Sequence, residues 1–153
     1  MSSPLPADIP QSQLVWFFDE DSFEETGRPG FRRRIITGDR IQLCFWRIVG
    51  GAEGSVLHHH PEHEQLGIVV RGRLDMRIGD PDTAPRSSLG PGEMYLAPPG
   101  VWHGDSQFVG DDEHGECWIL DVFAPPRDDW GSTTEAGTLA YSHEASTEGS
   151  TNR

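Results

Sequence analysis

The 153 residues are enough for one domain with a real core and too few for two ordinary ones. Twelve basic side chains against 25 acidic ones leave a formal charge of −13, which repels nucleic acid and anionic membrane surfaces. Every one of the cations is Arg, so lysine Schiff bases and lysine general bases are excluded.

Residues 1–13, rich in Pro, Ser and Gln, cannot offset their own ordering entropy and read as a tail. They lack the basic and apolar stretches of a secretory leader, and no apolar run reaches the length of a membrane span, so the expected location is the cytoplasm. DEDSFEETG, residues 19–27, is the best helix candidate and allows a single turn. The runs RRRIITG, RIQLCFWRIVG, EQLGIVVRG, RLDMRIGD, EMYLAPP and ECWILDVFAPP are β-branched, aromatic or alternating, and each is stopped by Gly, Pro or Asp. They predict short strands, and many short strands in close succession predict an all-β sandwich or barrel occupying residues 14–130. Residues 131–153 hold almost no large apolar group and read as a second tail. Cys44 and Cys117 lie inside apolar runs, which predicts two buried, reduced thiols instead of a disulfide. The strand edges of so small a β-domain commonly pair, so a homodimer is expected.

The stretch HHHPEHEQ, residues 58–65, concentrates metal-binding side chains. Alternation along an extended chain points His58 and His60 one way and His59 the other, which makes the first two a chelate. His59 and His63 take other directions and read as surface residues or as neighbours of the ligands. His114 and His143 lie in polar segments and read as solvent-exposed.

Downstream, Gly92, Pro98, Gly100 and His103 fall at the spacing G-x5-P-x-G-x2-H, which resembles the second conserved motif of the cupins. Upstream, His58, His60, Gln65 and Gly72 fit H-x-H-x4-(E/Q)-x6-G, which resembles the first, with Gln in the acidic slot. Its leading glycine is displaced to Gly51 or Gly54, and Gln107 stands where many cupins carry Asn. The resemblance implies a single-domain cupin jelly-roll β-barrel in which His58, His60 and His103 hold one divalent transition metal, Fe, Zn, Ni or Mn. The fourth ligand has two candidates. Counting back from Gly72 by the cupin interval favours Gln65, and Glu64, its neighbour on the other strand face, is the alternative. Glu64 would make the carboxylate-bearing site of a non-haem Fe(II) dioxygenase, whereas Gln65 would leave the metal charge uncompensated and suit Lewis-acid work.

In the last apolar run, alternation groups Cys117, Ile119, Asp121 and Phe123 on one face, so a carboxylate joins an apolar set and needs a donor or cation beside it. The ending D-V-F-A-P-P-R, with FEETGRPGFRRRIITGDRIQL and HHHPEHEQ before it, resembles the pectin-degradation cupins of the KdgF type, which open and tautomerise unsaturated uronates. That resemblance, over roughly residues 23–130, implies that Asp121 is the catalytic acid or base, Phe123 a wall of the substrate pocket and Arg127 the partner of a substrate carboxylate. The bland readings are a salt bridge from Asp121 to one of Arg32–Arg34, ordinary core packing for Phe123 and a solvated Arg127. Trp102 reads as packing. The expected function is a non-redox ring opening or tautomerisation of a small carbonyl or uronate-like substrate. The alternatives are an Fe(II) dioxygenase, recruitment of the same barrel to secondary-metabolite (polyketide) biosynthesis, and a non-catalytic small-molecule binder.

Overall fold

The computed structural model describes residues 20–127 and the backbone of two short strands beyond them. The segments read as tails, 1–13 and 131–153, lie outside the described residues except for those two strands, and so does His143. A 3-10 turn over Glu20–Ser22 opens the described chain, where the sequence allows one helical turn. The strands follow in order: β1 Glu24–Glu25, β2 Phe31–Thr37, β3 Gln42–Val49, β4 Glu64–Arg71, β5 Arg73–Ile78, β6 Arg86–Leu89, β7 Met94–Ala97, β8 His103–Val109, β9 Glu116–Ala124, β10 Ser132–Thr133 and β11 Leu139–Ala140. Five of these are not among the runs predicted as strands: the two-residue β1, in the stretch read as a helical turn, the two-residue β10 and β11, in the segment read as a tail, and the longer β6 and β8. RSSL is polar and its first three residues are exposed, and HGDSQFV carries Gly, Asp, Ser and Gln, so neither shows the apolar pattern of a half-buried strand.

The strands form an all-β jelly roll of two facing sheets: a six-stranded sheet in the order β1-β2-β3-β9-β4-β7 and a three-stranded sheet in the order β6-β5-β8. β10 and β11 pair separately with each other. The jelly roll is the expected one, although its two main sheets are not joined edge to edge into a closed barrel. The chain crosses between them at the β4 to β5 turn without continuous pairing, and bulges shift the register in both, between Val69 and Arg71 and between Asp75 and Arg77. The core lies between the sheets. Phe31, Ile35, Cys44, Trp46, Ile48, Val69, Ile119 and Phe123 come from the larger sheet, facing Leu74, Met76 and Phe108 of the smaller. Phe31 meets Trp46 and Phe108 edge-on, with ring centroids 5.8 and 5.5 Å away, so one ring ties the two layers together. Cys44 and Cys117 are fully buried and form no disulfide, as expected.

The outer face of the larger sheet carries a buried ion pair. Glu116 Oε1 accepts from Arg47 Nε at 3.1 Å, from Arg47 Nη2 at 2.8 Å and from Trp118 Nε1 at 3.1 Å, while Oε2 accepts from Arg32 at 3.2 Å. Burial alone would raise the Glu116 carboxyl, but the hydrogen bonds from Arg47, Trp118 and Arg32 outweigh it and hold the group below its ordinary range. Arg47 and Arg32 also reach Glu20, which anchors the start of the described chain across β2 and β3. Glu116→Ala removes the buried partner of Arg47, which is 7% exposed, and leaves it the more exposed Glu20 carboxylate. The expected loss is about 3 kcal/mol of unfolding free energy, read from urea denaturation, against less than about 1 kcal/mol for the exposed Asp39→Ala.

Candidate metal centre

Two backbone hydrogen bonds build the site. His58 N–H donates to the His103 carbonyl at 2.9 Å, and His103 N–H donates back to His58 at 2.8 Å. This antiparallel bridge clips the connection between β3 and β4 onto the first residue of β8, and a second, between Glu53 and Gln107, holds the same connection further along β8. The H-x-H pair therefore lies in an extended connection outside the named strands, yet the alternation holds: His58 and His60 are buried and His59 is exposed. Gly104 makes the close approach possible. A Cβ there would sit 2.4 Å from the Val56 carbonyl oxygen and 3.1 Å from His58 Nδ1, and its φ of +125° suits only glycine.

One ring nitrogen from each of His58, His60 and His103 lies within 4.8 Å of the others, so these three imidazoles could hold a metal ion. His58 Nδ1 lies 2.7 Å from the Val56 carbonyl oxygen and His103 Nδ1 lies 2.9 Å from that of Val101. A carbonyl only accepts, so both Nδ1 atoms carry the proton and both Nε2 atoms keep a lone pair for a ligand. Gln65 Oε1 stands 3.1 Å from His60 Nε2 and 3.0 Å from His103 Nε2, which brings an oxygen donor to the same point. Gln65 is fully buried, and its neighbour Glu64 is exposed on the opposite strand face. Burial drives the His60 pKa down to about 2, helped by the charge of Arg127 and by His103, His58 and His63. His60 is thus neutral, the form that binds metal. Three neutral imidazoles and an amide oxygen in a buried pocket fit a divalent transition ion far better than calcium or magnesium, which prefer carboxylate-rich cages.

The second group of predicted residues lies in the same interior. Asp121 is fully buried, with Oδ2 accepting from Trp46 Nε1 at 2.9 Å and Oδ1 from the Tyr95 hydroxyl at 3.4 Å. Phe123, also fully buried, faces the rings of His60 and His63 at 6.0 and 5.4 Å. Arg127 is 4% exposed, so it is no solvated loop residue. Its guanidinium lies 5.4 Å from the Phe123 ring, and its backbone N–H donates to Gln42 Oε1 at 3.2 Å. His63 is half-buried and stacks on His60 at 4.6 Å, inside the site's wall. His59 packs on Trp102 at 4.4 Å, away from the pocket. His114 is exposed against Trp118 and belongs with Asp111 and Glu113, a second trio among the described residues that Arg71 already pairs.

Sequence reasoning missed Tyr95. The signal was present in MYLA, whose alternation buries Tyr95 and Ala97 and exposes Met94 and Leu96. A Cβ on Gly67, the cross-strand partner of Tyr95, would sit 2.3 Å from the tyrosine ring, so the ring occupies space that only a glycine leaves.

Residues 44–113 match the family model of the cupin domain. That match spans a little under half of the chain, and the fold is that of the cupins. It is shared with KdgF from Halomonas sp., at 24% identity and a TM-score of 0.63 over 76% of this chain and 98% of that chain. An RmlC-like cupin from Shewanella frigidimarina aligns at 24% identity and 0.61 over 77% and 96%. The oxalate decarboxylase of Lactobacillus farciminis aligns at 21% identity and 0.56, over 69% of this chain and 31% of the longer enzyme. Among curated proteins, no sequence matches this one.

Depressed basicity at His60 has a measurable sign. In the metal-free protein the folded state refuses a proton down to about pH 2, whereas the unfolded chain accepts one near 6.5, so stability is full above 6.5 and falls as the pH drops below it. His60→Asn removes this dependence. The stability advantage of metal-free wild type over the variant is expected to shrink by about 2 kcal/mol between pH 7 and pH 5 in urea titrations, and a constant advantage would show that His60 protonates freely in the fold.

Proposed function

We propose that this cupin is a metal-dependent enzyme that opens or tautomerises a small carbonyl compound of the uronate kind without redox change. The observation that carries the reading is the charge of the inward donor set, three imidazoles and one amide, with the alternative fourth ligand, Glu64, exposed on the other strand face. A divalent ion held by His58, His60, His103 and Gln65 would keep its full charge and act as a Lewis acid on a carbonyl or hydroxyl oxygen. The likeness to KdgF and the D-V-F-A-P-P-R ending support the substrate class.

In this reading Arg127 receives a substrate carboxylate in its planar fork, since it is buried, cationic and beside the histidines. Phe123 forms an apolar wall that keeps the sugar-sized substrate against the imidazoles and excludes water. Asp121 accepts the proton of the hemiacetal hydroxyl as the ring C–O bond breaks to leave an aldehyde and an enolate, and it returns that proton to the enolate carbon, which completes the ketone. The substrate gains and loses no atom, so no external oxidant or reductant is required. The expected homodimer belongs to the same proposal: β7 is an edge strand whose Met94 and Leu96 are about half exposed.

The test is metal content of untagged protein by elemental analysis for wild type, Glu64→Ala and Gln65→Ala, followed by assays of metal-loaded enzyme with unsaturated uronates and other enolisable compounds. Metal lost only with Gln65→Ala, turnover of a carboxylated substrate and no O2 uptake are expected. Metal lost only with Glu64→Ala, with substrate-linked O2 uptake, would make the protein a dioxygenase instead. Arg127→Lys is expected to raise KM for the carboxylated substrate about 10- to 100-fold with a smaller change in kcat, because one point charge replaces two parallel hydrogen bonds.

A further inference from the structure

Gln65 could turn either end of its amide toward the histidines, and only the oxygen end can serve as a ligand. Its other end lies against a chain of buried polar groups whose directions are set by chemistry. Trp46 Nε1–H is a donor only and points at Asp121 Oδ2 at 2.9 Å. The Asp121 carboxylate accepts at both oxygens, and its Oδ1 faces the Tyr95 hydroxyl at 3.4 Å. The tyrosine proton goes to Asp121, which leaves the tyrosine oxygen as an acceptor. Gln65 Nε2 donates to that oxygen at 2.7 Å, and Oε1 is left pointing at His60 and His103. Gly67 gives the Tyr95 ring the room to bridge the two, since Gly67 pairs with Tyr95 on one side and with Asp121 on the other.

We infer that Asp121 is a positioning residue for the metal site: acting through Tyr95, it selects which end of the Gln65 amide faces the imidazoles. This role is separate from proton transfer to a substrate, and it rests on the reading of His58, His60, Gln65 and His103 as metal ligands. The chain of directions can be reversed by a single isosteric change. In Asp121→Asn the new amide keeps its oxygen toward Trp46 and presents N–H to Tyr95. The tyrosine hydroxyl then donates to position 65 and draws the Gln65 oxygen away from the histidines. A carboxylate at position 65 has no wrong end, so Gln65→Glu removes the need for selection. In the Asp121→Asn/Gln65→Glu pair every group again meets a complementary partner, whereas Gln65→Glu alone leaves one tyrosine proton between two carboxylates.

The experiment is Zn(II) and Co(II) affinity by competition with a chromophoric chelator, with the visible spectrum of the Co(II) form, on wild type, Asp121→Asn, Tyr95→Phe, Gln65→Glu and the double variant. Thermal melting of the metal-free proteins reports folding. Asp121→Asn and Tyr95→Phe are expected to weaken affinity about 10- to 100-fold and to change the Co(II) spectrum, while the double variant regains affinity within about threefold of wild type. Tyr95→Phe keeps the ring in the space beside Gly67 and decides the matter if Asp121→Asn does not fold. Unchanged affinity and spectrum in both single variants, with wild type binding metal, would overturn the positioning role alone. Loss in Asp121→Asn without rescue by Gln65→Glu would also overturn it. Wild type binding neither ion would overturn the metal reading and this inference with it.

Discussion

The paired backbone hydrogen bonds between His58 and His103 are the contact on which the site depends. They bring a non-strand connection against the end of β8, and so unite two histidines more than forty positions apart. Their close spacing puts the two imidazoles 4.5 Å apart between centroids, and the Gly104 backbone beside them admits no Cβ. The rest of the site forms around that bridge. The Val56 and Val101 carbonyls that fix the ring protons are the near neighbours of the two bridging residues, so one backbone arrangement sets both the position and the tautomer of two imidazoles.

The larger sheet contributes a different kind of order. Its inner face mixes a conventional apolar core, around Phe31, Trp46 and Ile119, with fully buried polar side chains at Gln42, Gln65 and Asp121. Buried polar atoms are costly unless each finds a partner, and partners found inside a sheet must come from neighbouring strands at fixed register. Gly67 opposite both Tyr95 and Asp121 shows how strict the register is: one residue of slip would move the glycine away from the ring and turn every inward polar group to the outer face. The polar interior thus raises the demand for a unique pairing while preparing a place for charge.

The outer face is organised by separate means. Glu116, Arg47, Arg32 and Glu20 form a connected set of ion pairs over aromatic rings, with the Arg47 guanidinium 4.8 Å from the centre of the Trp118 ring. Trp118 and Asp121 belong to the same strand but to opposite faces, so β9 links the charged outer layer with the polar inner one. A carboxylate on the outside neutralises arginines, and a carboxylate on the inside accepts from Trp46 and Tyr95. The same residue type does different work because the pleat assigns it to different surroundings.

Much was legible without coordinates. Period-two alternation and the Gly, Pro and Asp stops identified the longer strands, and the spacings H-x-H-x4-Q-x6-G and G-x5-P-x-G-x2-H singled out His58, His60, Gln65 and His103, which do converge. These are local signals, fixed by backbone geometry over a few residues. The edges of the fold were less visible. β6 and β8 lack an apolar pattern because much of what holds them is pairing with β5, and whether two sheets close into a barrel depends on bulges and crossings that leave no mark in composition. The inward face of Tyr95 could be read from the alternation in MYLA, but its partners Gln65 and Asp121 could not, since they come from strands distant in sequence. The sequence by itself determined the residue types at the centre and the faces they occupy. Only the tertiary structure decided which of two adjacent side chains, Glu64 or Gln65, meets the histidines and which end of the amide they meet, because those choices depend on hydrogen-bond partners supplied by other strands.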